Sequence, residues 1–160
     1  MIHQRPCNSR YHLPVSNRYS LDTRDRPDLL FAMMRTFASE QSRIAFEGNL
    51  ASTELFRLVG GSHEETGLLK RATAAPQLDF VVLPLAASRV SEIEKAIRSK
   101  VAFARYAGII HVQIETHGEI VFGAYDNFGR DRVVNAIMDT SILDDLVKAR
   151  ILRGYSPIPE

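Results

Sequence analysis

Between Asp79 and Tyr125 the sequence changes its hydrophobic period twice, and this limits the folds open to the chain more than any other feature. DFVVLPL, residues 79–85, is a continuous apolar run of strand length rich in β-branched residues, the composition of a strand covered on both faces. Pro84 cannot donate to a ladder, so it belongs at the end of that strand or on an outward-facing edge. Ser91-Glu92-Ile93-Glu94 has the form of a capping box, and Val90, Ile93, Ile97, Val101 and Ala104 make one apolar stripe at helical spacing. Gly108 supplies the left-handed position that ends a helix. IIHVQIETHGEIVFGAY, residues 109–125, then returns to period two with turn residues at His117-Gly118. A strand, a helix and a strand in this order predict a right-handed βαβ unit, with strands 79–85 and 109–116 parallel.

A two-residue turn at His117-Gly118 pairs Thr116 with Glu119, Ile114 with Val121, Val112 with Gly123 and Ile110 with Tyr125. Those residues share one mostly apolar face. The other face carries His111, Gln113 and Glu115 opposite Ala124, Phe122 and Ile120, a mixture of polar and apolar groups.

Around this unit the signals are local. Pro27 and Asp28 suit a first helical turn, and Leu30, Met33, Met34 and Phe37 give helix 27–41 its apolar face. Residues 43–50 alternate as a half-buried strand. Ser62 to Glu65 has capping-box spacing, which predicts a short helix over 63–72 with Leu68 and Leu69 inward, closed by Pro76. Asp126-Asn127-Phe128-Gly129 is turn chemistry, followed by a strand over 132–138 that completes an antiparallel meander. Ser141 to Asp144 starts a last helix running to about Arg150. The whole predicts one α+β domain over 27–154: a mixed sheet of about five strands, with helices packed largely on one face. Residues 1–26 read as a polar, mildly basic arm, with five arginines against two aspartates, and 155–160 as a tail.

Composition closes several functional classes. A net charge of +1 over 160 residues gives no general pull towards nucleic acid or a membrane surface, although the arginine-bearing arm keeps a weak nucleic-acid reading alive. No apolar run reaches the ~20 residues of a membrane span, and MIHQRPCNSRYHLPV lacks the apolar core of a secretory signal. A single cysteine, Cys7, excludes an internal disulfide and points to a reducing, cytoplasmic setting.

The residues that carry chemistry are few. His111, Gln113 and Glu115 project side by side from one strand face, where an imidazole, an amide and a carboxylate can orient a polar ligand or move a proton. About 13 Å of strand separates His111 from Glu115, too far to share a metal unaided. Asp79 ahead of its strand, with Glu47 on another, invites a two-carboxylate metal site, but His117 stands where the lysine of a Mg²⁺-dependent phosphodiesterase would be. His3, Cys7 and His12 are ligand types without zinc-site spacing. His63 lacks the second histidine of a zinc-protease helix, and Gly60-Gly61-Ser62 lacks the lysine of a phosphate loop. Lys95, Arg98, Lys100 and Arg105 are the ordinary basic end of a helix. No motif calls for a cofactor or a resident metal.

The expectation that follows is a protein-interaction module, binding another protein or a copy of itself as a homo-oligomer through a sheet face or edge. Gln113, Ile120 and Phe122 are its candidate binding residues, since apolar anchors among polar neighbours are what an interface requires. The enzymatic alternative is a small hydrolase or ligand-binding domain using His111 and Glu115, with Asp79 and a metal as an option.

Overall fold

Strand β2 (Arg43–Gly48) shows how the two faces of the sheet divide. Ile44 and Phe46 enter one apolar cluster and Ala45 enters a second on the opposite side, so the strand is buried on both faces. Strand β3 (Asp79–Pro84) splits the same way, Val81 and Leu83 to the first cluster, Phe80 and Val82 to the second. The computed structural model describes residues 18–98, 108–129, 133–135 and 138–159.

With β1 (Tyr19–Thr23), β4 (Ile109–Thr116), β5 (Glu119–Ala124), β6 (Val133–Asn135) and β7 (Leu152–Pro157), these strands form one sheet ordered β3-β2-β4-β5-β6-β1-β7. Three helices accompany it among the described residues: α1 (Arg26–Phe37), α2 (Val90–Ile97) and α3 (Thr140–Lys148). Their apolar residues, including Leu30, Met34, Ile93, Ile97, Leu143 and Leu146, join Ile44, Phe46, Val112 and Ile114 in the first cluster. The fold is α+β, with the helices sharing one core on one side of the sheet. The smaller second cluster is closed by Leu69, from the long connection between β2 and β3.

Local chemistry sets the helix starts. Asp25 caps α1 by accepting the Asp28 N–H at 3.0 Å, and Pro27 occupies the first turn. Asp139 caps α3 by accepting from Ser141, so that helix begins at Thr140, one residue before the Ser141 signature. α2 begins at Val90 because a 3₁₀ turn, Ala87–Arg89, leads directly into it; Ser91 is already helical and does not cap. The stripe positions Val101 and Ala104 lie outside the described residues, as do His3, Cys7 and His12.

Four further differences from the sequence reading have physical causes. First, every neighbouring strand pair is antiparallel. β3 and β4 do run in the same direction, but each pairs with β2, which lies between them. A strand buried on both faces gains more from two partners than from one, and β2 is apolar enough on both to take the central place.

Second, the β4–β5 hairpin has a bulge. Thr116 faces Glu119 and Glu115 faces Ile120, but Ile114 faces Phe122, leaving Val121 as the extra residue. Val121 and Phe122 therefore both enter the helix-side core. Phe122 is fully buried and is removed from the mixed face and from any binding surface, whereas Ile120 stays on the opposite side against the second cluster.

Third, residues 63–72 form no helix. Ser62 bridges Val82 through both backbone groups, and Thr66 Oγ1 accepts from the Leu68 and Leu69 amides. Such local hydroxyl bonds compete with a helical ladder, and here they win. Leu69 is buried and Leu68 is exposed.

Fourth, the sheet extends into both polar ends. Residues 19–23, read as part of the arm, are β1 between β6 and β7, and the strand β7 reaches Pro157. YSLDT and LRGYSP carry too few apolar residues to signal strands alone; pairing with each other supplies the strand character.

Candidate functional site

β4 does place His111, Gln113 and Glu115 on one face, the side covered by residues 69–73, whereas Leu50 and Leu55 earlier in the same connection enter the helix-side cluster. The β2 register sets Glu47 opposite His111, Ala45 opposite Gln113 and Arg43 opposite Glu115. Glu47, His111 and Glu115 are all buried. Arg43 Nε lies 2.6 Å from Glu115 Oε1, a cross-strand ion pair that neutralises that carboxylate.

Around His111 the hydrogen bonds fix the tautomer. The Asp126 backbone N–H donates to Nδ1 at 3.1 Å, so the ring proton sits on Nε2 and is directed to Thr73 Oγ1 at 2.8 Å. A histidine that activates a hydroxyl needs its lone pair on the nitrogen facing that hydroxyl. The polarity here is the reverse, so Thr73 and His111 are not arranged as nucleophile and base. Glu47 Oε1, 3.7 Å from Nε2, accepts the Ala72 and Thr73 amides at 2.8 and 3.2 Å. Gln113 Oε1 accepts the Lys70 amide at 3.1 Å, while its Nε2 donates to Tyr125 Oη at 2.9 Å.

Together these bonds clasp residues 70–73 to the sheet. The Lys70, Ala72 and Thr73 amides each find a side-chain acceptor on β2 or β4, which holds an irregular segment against the sheet without a ladder of its own. Asp79 stands apart from the row. It pairs with Gly48 across β2, its carboxylate accepts the Leu50 amide at 3.0 Å, and it is exposed. Among the described residues, no three His, Cys, Asp or Glu side chains are placed to hold a metal ion. Among them, too, no helix is long and apolar enough to cross a membrane.

The exposed side of the whole connection between β2 and β3, residues 49–78, is different in character. Phe56, Val59 and Leu68 are exposed large apolar side chains, Val59 to 79%. Beside Phe56 a cleft of about 370 Å³ is lined by His63, Arg71, Gln77, Asp79 and Phe80. His63 donates from Nδ1 to the Phe80 carbonyl at 3.0 Å, which leaves the lone pair on Nε2. Its ring lies 5.1 Å from that of Phe56, and the Arg71 guanidinium lies 4.9 Å from the Phe80 ring centre. The sequence reading weighs His63 and Asp79 only as metal or zinc-protease residues, places His63 in a helix, and passes over Phe56, Arg71, Gln77 and Phe80. The usable signal was LFRLV at 55–59, an apolar run too short and too irregular to belong to either period.

Compared with protein-family models, with curated proteins and with solved structures, the chain matches none of them.

Proposed function

We propose that the chain is a protein-interaction module, binding another protein or a second copy of itself through the connection over residues 51–78 and the adjoining β3 edge. The observation that carries this reading is the position of Phe56, Val59 and Leu68: the large apolar side chains exposed among the described residues all fall in this one segment. Scattered exposed apolar groups are ordinary, whereas several within one connection, the first of them lining a cleft, fit an interface core. Arg57, Glu54 and Glu64, all exposed, supply polar groups for a rim. Because Ser62 already occupies part of the β3 edge through Val82, the contact is one of side chains more than of added strand pairing.

Sedimentation velocity over a concentration series, with wild type beside Phe56→Ser/Val59→Ser, tests the self-associating form. Affinity capture from the native host with the same two baits tests the other. The reading expects association that the double variant loses while its urea midpoint is unchanged. Identical behaviour of the two proteins in both experiments overturns it.

A further inference from the structure

At the β7 end of the sheet lies a second cleft, of about 420 Å³, with Asp22, Thr23, Phe128 and Arg153 in its wall. Three independent irregularities meet there. The β1–β7 register shifts between Asp22, which faces Gly154, and Thr23, which faces Leu152, so Arg153 is an extra residue in a bulge. Bulges of this kind re-aim a side chain. On the other wall, Asp126, Asn127 and Phe128 have consecutive φ values of 51°, 61° and 59°, a left-handed turn closed by Gly129 N–H to the Tyr125 carbonyl at 3.1 Å. This conformation is costly without glycine, most of all for phenylalanine. Thr23 Oγ1, finally, is buried without a hydrogen-bond partner among the described residues.

Among the described residues of this wall the charges are balanced. Arg153 Nη1 donates to the Thr23 carbonyl at 2.7 Å and lies 3.3 Å from Asp22 Oδ1. Both recorded bonds use the same nitrogen, which leaves the Nε–H and Nη2 edge, the fork that grips a carboxylate. The two side chains remain 60% and 50% exposed, so each is open to a further partner. A bare anion drawn to Arg153 meets Asp22 at once, and a bare cation drawn to Asp22 meets Arg153. A ligand carrying both charges satisfies both residues.

We infer that this cleft binds a small zwitterion of the α-amino-acid type. Its carboxylate lies on the free edge of Arg153 and its ammonium group on Asp22, while its apolar side chain lies over the small part of Phe128 that reaches the wall, the ring being otherwise buried near Phe122. The bulge fixes Arg153 beside Asp22, and the left-handed turn carries Phe128 to the wall. The volume suits a ligand of this size. The site is separate from the surface over residues 51–78, and neither reading depends on the other.

The test is an NMR titration of the ¹⁵N-labelled full chain with L-leucine, with 4-methylpentanoate, which lacks the ammonium, and with 3-methylbutylamine, which lacks the carboxylate. Leucine is expected to shift the Thr23, Phe128 and Gly154 amides saturably. Each analogue is expected to bind at least ~10-fold more weakly, the loss of one charge-assisted bond. Arg153→Met and Asp22→Asn should each weaken leucine binding by a similar factor. Both positions are exposed, and unfolding midpoints confirm that the variants fold. No saturable shift with leucine into the millimolar range, or leucine binding unchanged in both variants, overturns the site. The carboxylate or the amine binding as tightly as leucine overturns the zwitterion.

Discussion

Glu47 and His111 stand directly opposite each other on β2 and β4, both buried, with Oε1 of the one 3.7 Å from Nε2 of the other. Neither group is aimed at solvent or at a cleft. Each is turned to a backbone or hydroxyl group of a neighbouring loop: Glu47 to Ala72 and Thr73, His111 to Thr73 and Asp126. The pair fastens two loops to the sheet.

Removing the carboxylate therefore releases the cover. Glu47→Ala leaves the Ala72 and Thr73 amides without their acceptor and is expected to cost about 2–3 kcal/mol. Glu47→Gln keeps an acceptor oxygen and should cost less. Urea unfolding measures the loss, and hydrogen exchange should show faster exchange at residues 72 and 73 in both variants, most in alanine.

The bulge at Val121 makes Phe122 and Ile120 unequal. Phe122→Ala empties a fully buried site and is expected to cost about 3–5 kcal/mol, whereas Ile120→Ala, at a partly exposed position, should cost about 1 kcal/mol. Urea midpoints of the two variants give the comparison. Equal costs would mean that the hairpin pairs without the bulge.

Gly48 is fixed by a close approach of two backbones. A Cβ at this position would lie 2.1 Å from the Gly108 carbonyl oxygen, so either β2 or the chain entering β4 must move. Gly48→Ala is expected to destabilise by about 2–3 kcal/mol, as over-packing does. Gly118→Ala meets no atom within 4 Å and differs only in backbone strain at φ 77°, so its loss should be the smaller one in thermal unfolding.

Acid should weaken α3 at its first turn. The Ser141 backbone amide, and then its hydroxyl, bond to the Asp139 carboxylate and hold its pKa below the ordinary 3.8. A depressed carboxylate stabilises the fold at pH values above 3.8, and this contribution is lost as pH falls through the lower folded value. Asp139→Asn caps without a charge, so its stability relative to wild type should improve as pH falls through this window. Urea titrations at a series of acid pH values measure the difference.

The elements with strong internal period were legible in the sequence: α1, β2, β3, the β4–β5 hairpin and the starts of α2 and α3, to within a few residues. So was the shared face of His111, Gln113 and Glu115, since strand alternation alone determines it. What that face meets was not legible, because Glu47, Thr73 and Asp126 reach it from three distant stretches of chain. The bulge at Val121 was hidden because IVFGA fits either register. β1 and β7 were missed for a related reason: Tyr19 and Leu21 are two apolar residues in a polar stretch, and their strand exists only where β7 lies beside it.

The placement of β1 orders events during synthesis. Its partners are residues 133–135 and 152–157, and Arg153 bonds to Thr23 across 130 positions of sequence. Once β2 and β3 have emerged from the ribosome they can pair, but β1 then has no partner on either side. Closing so long a loop is slow relative to local pairing. The earliest of the described strands is thus among the last to find its place, and a chain interrupted before Leu152 would present β1 as an open edge.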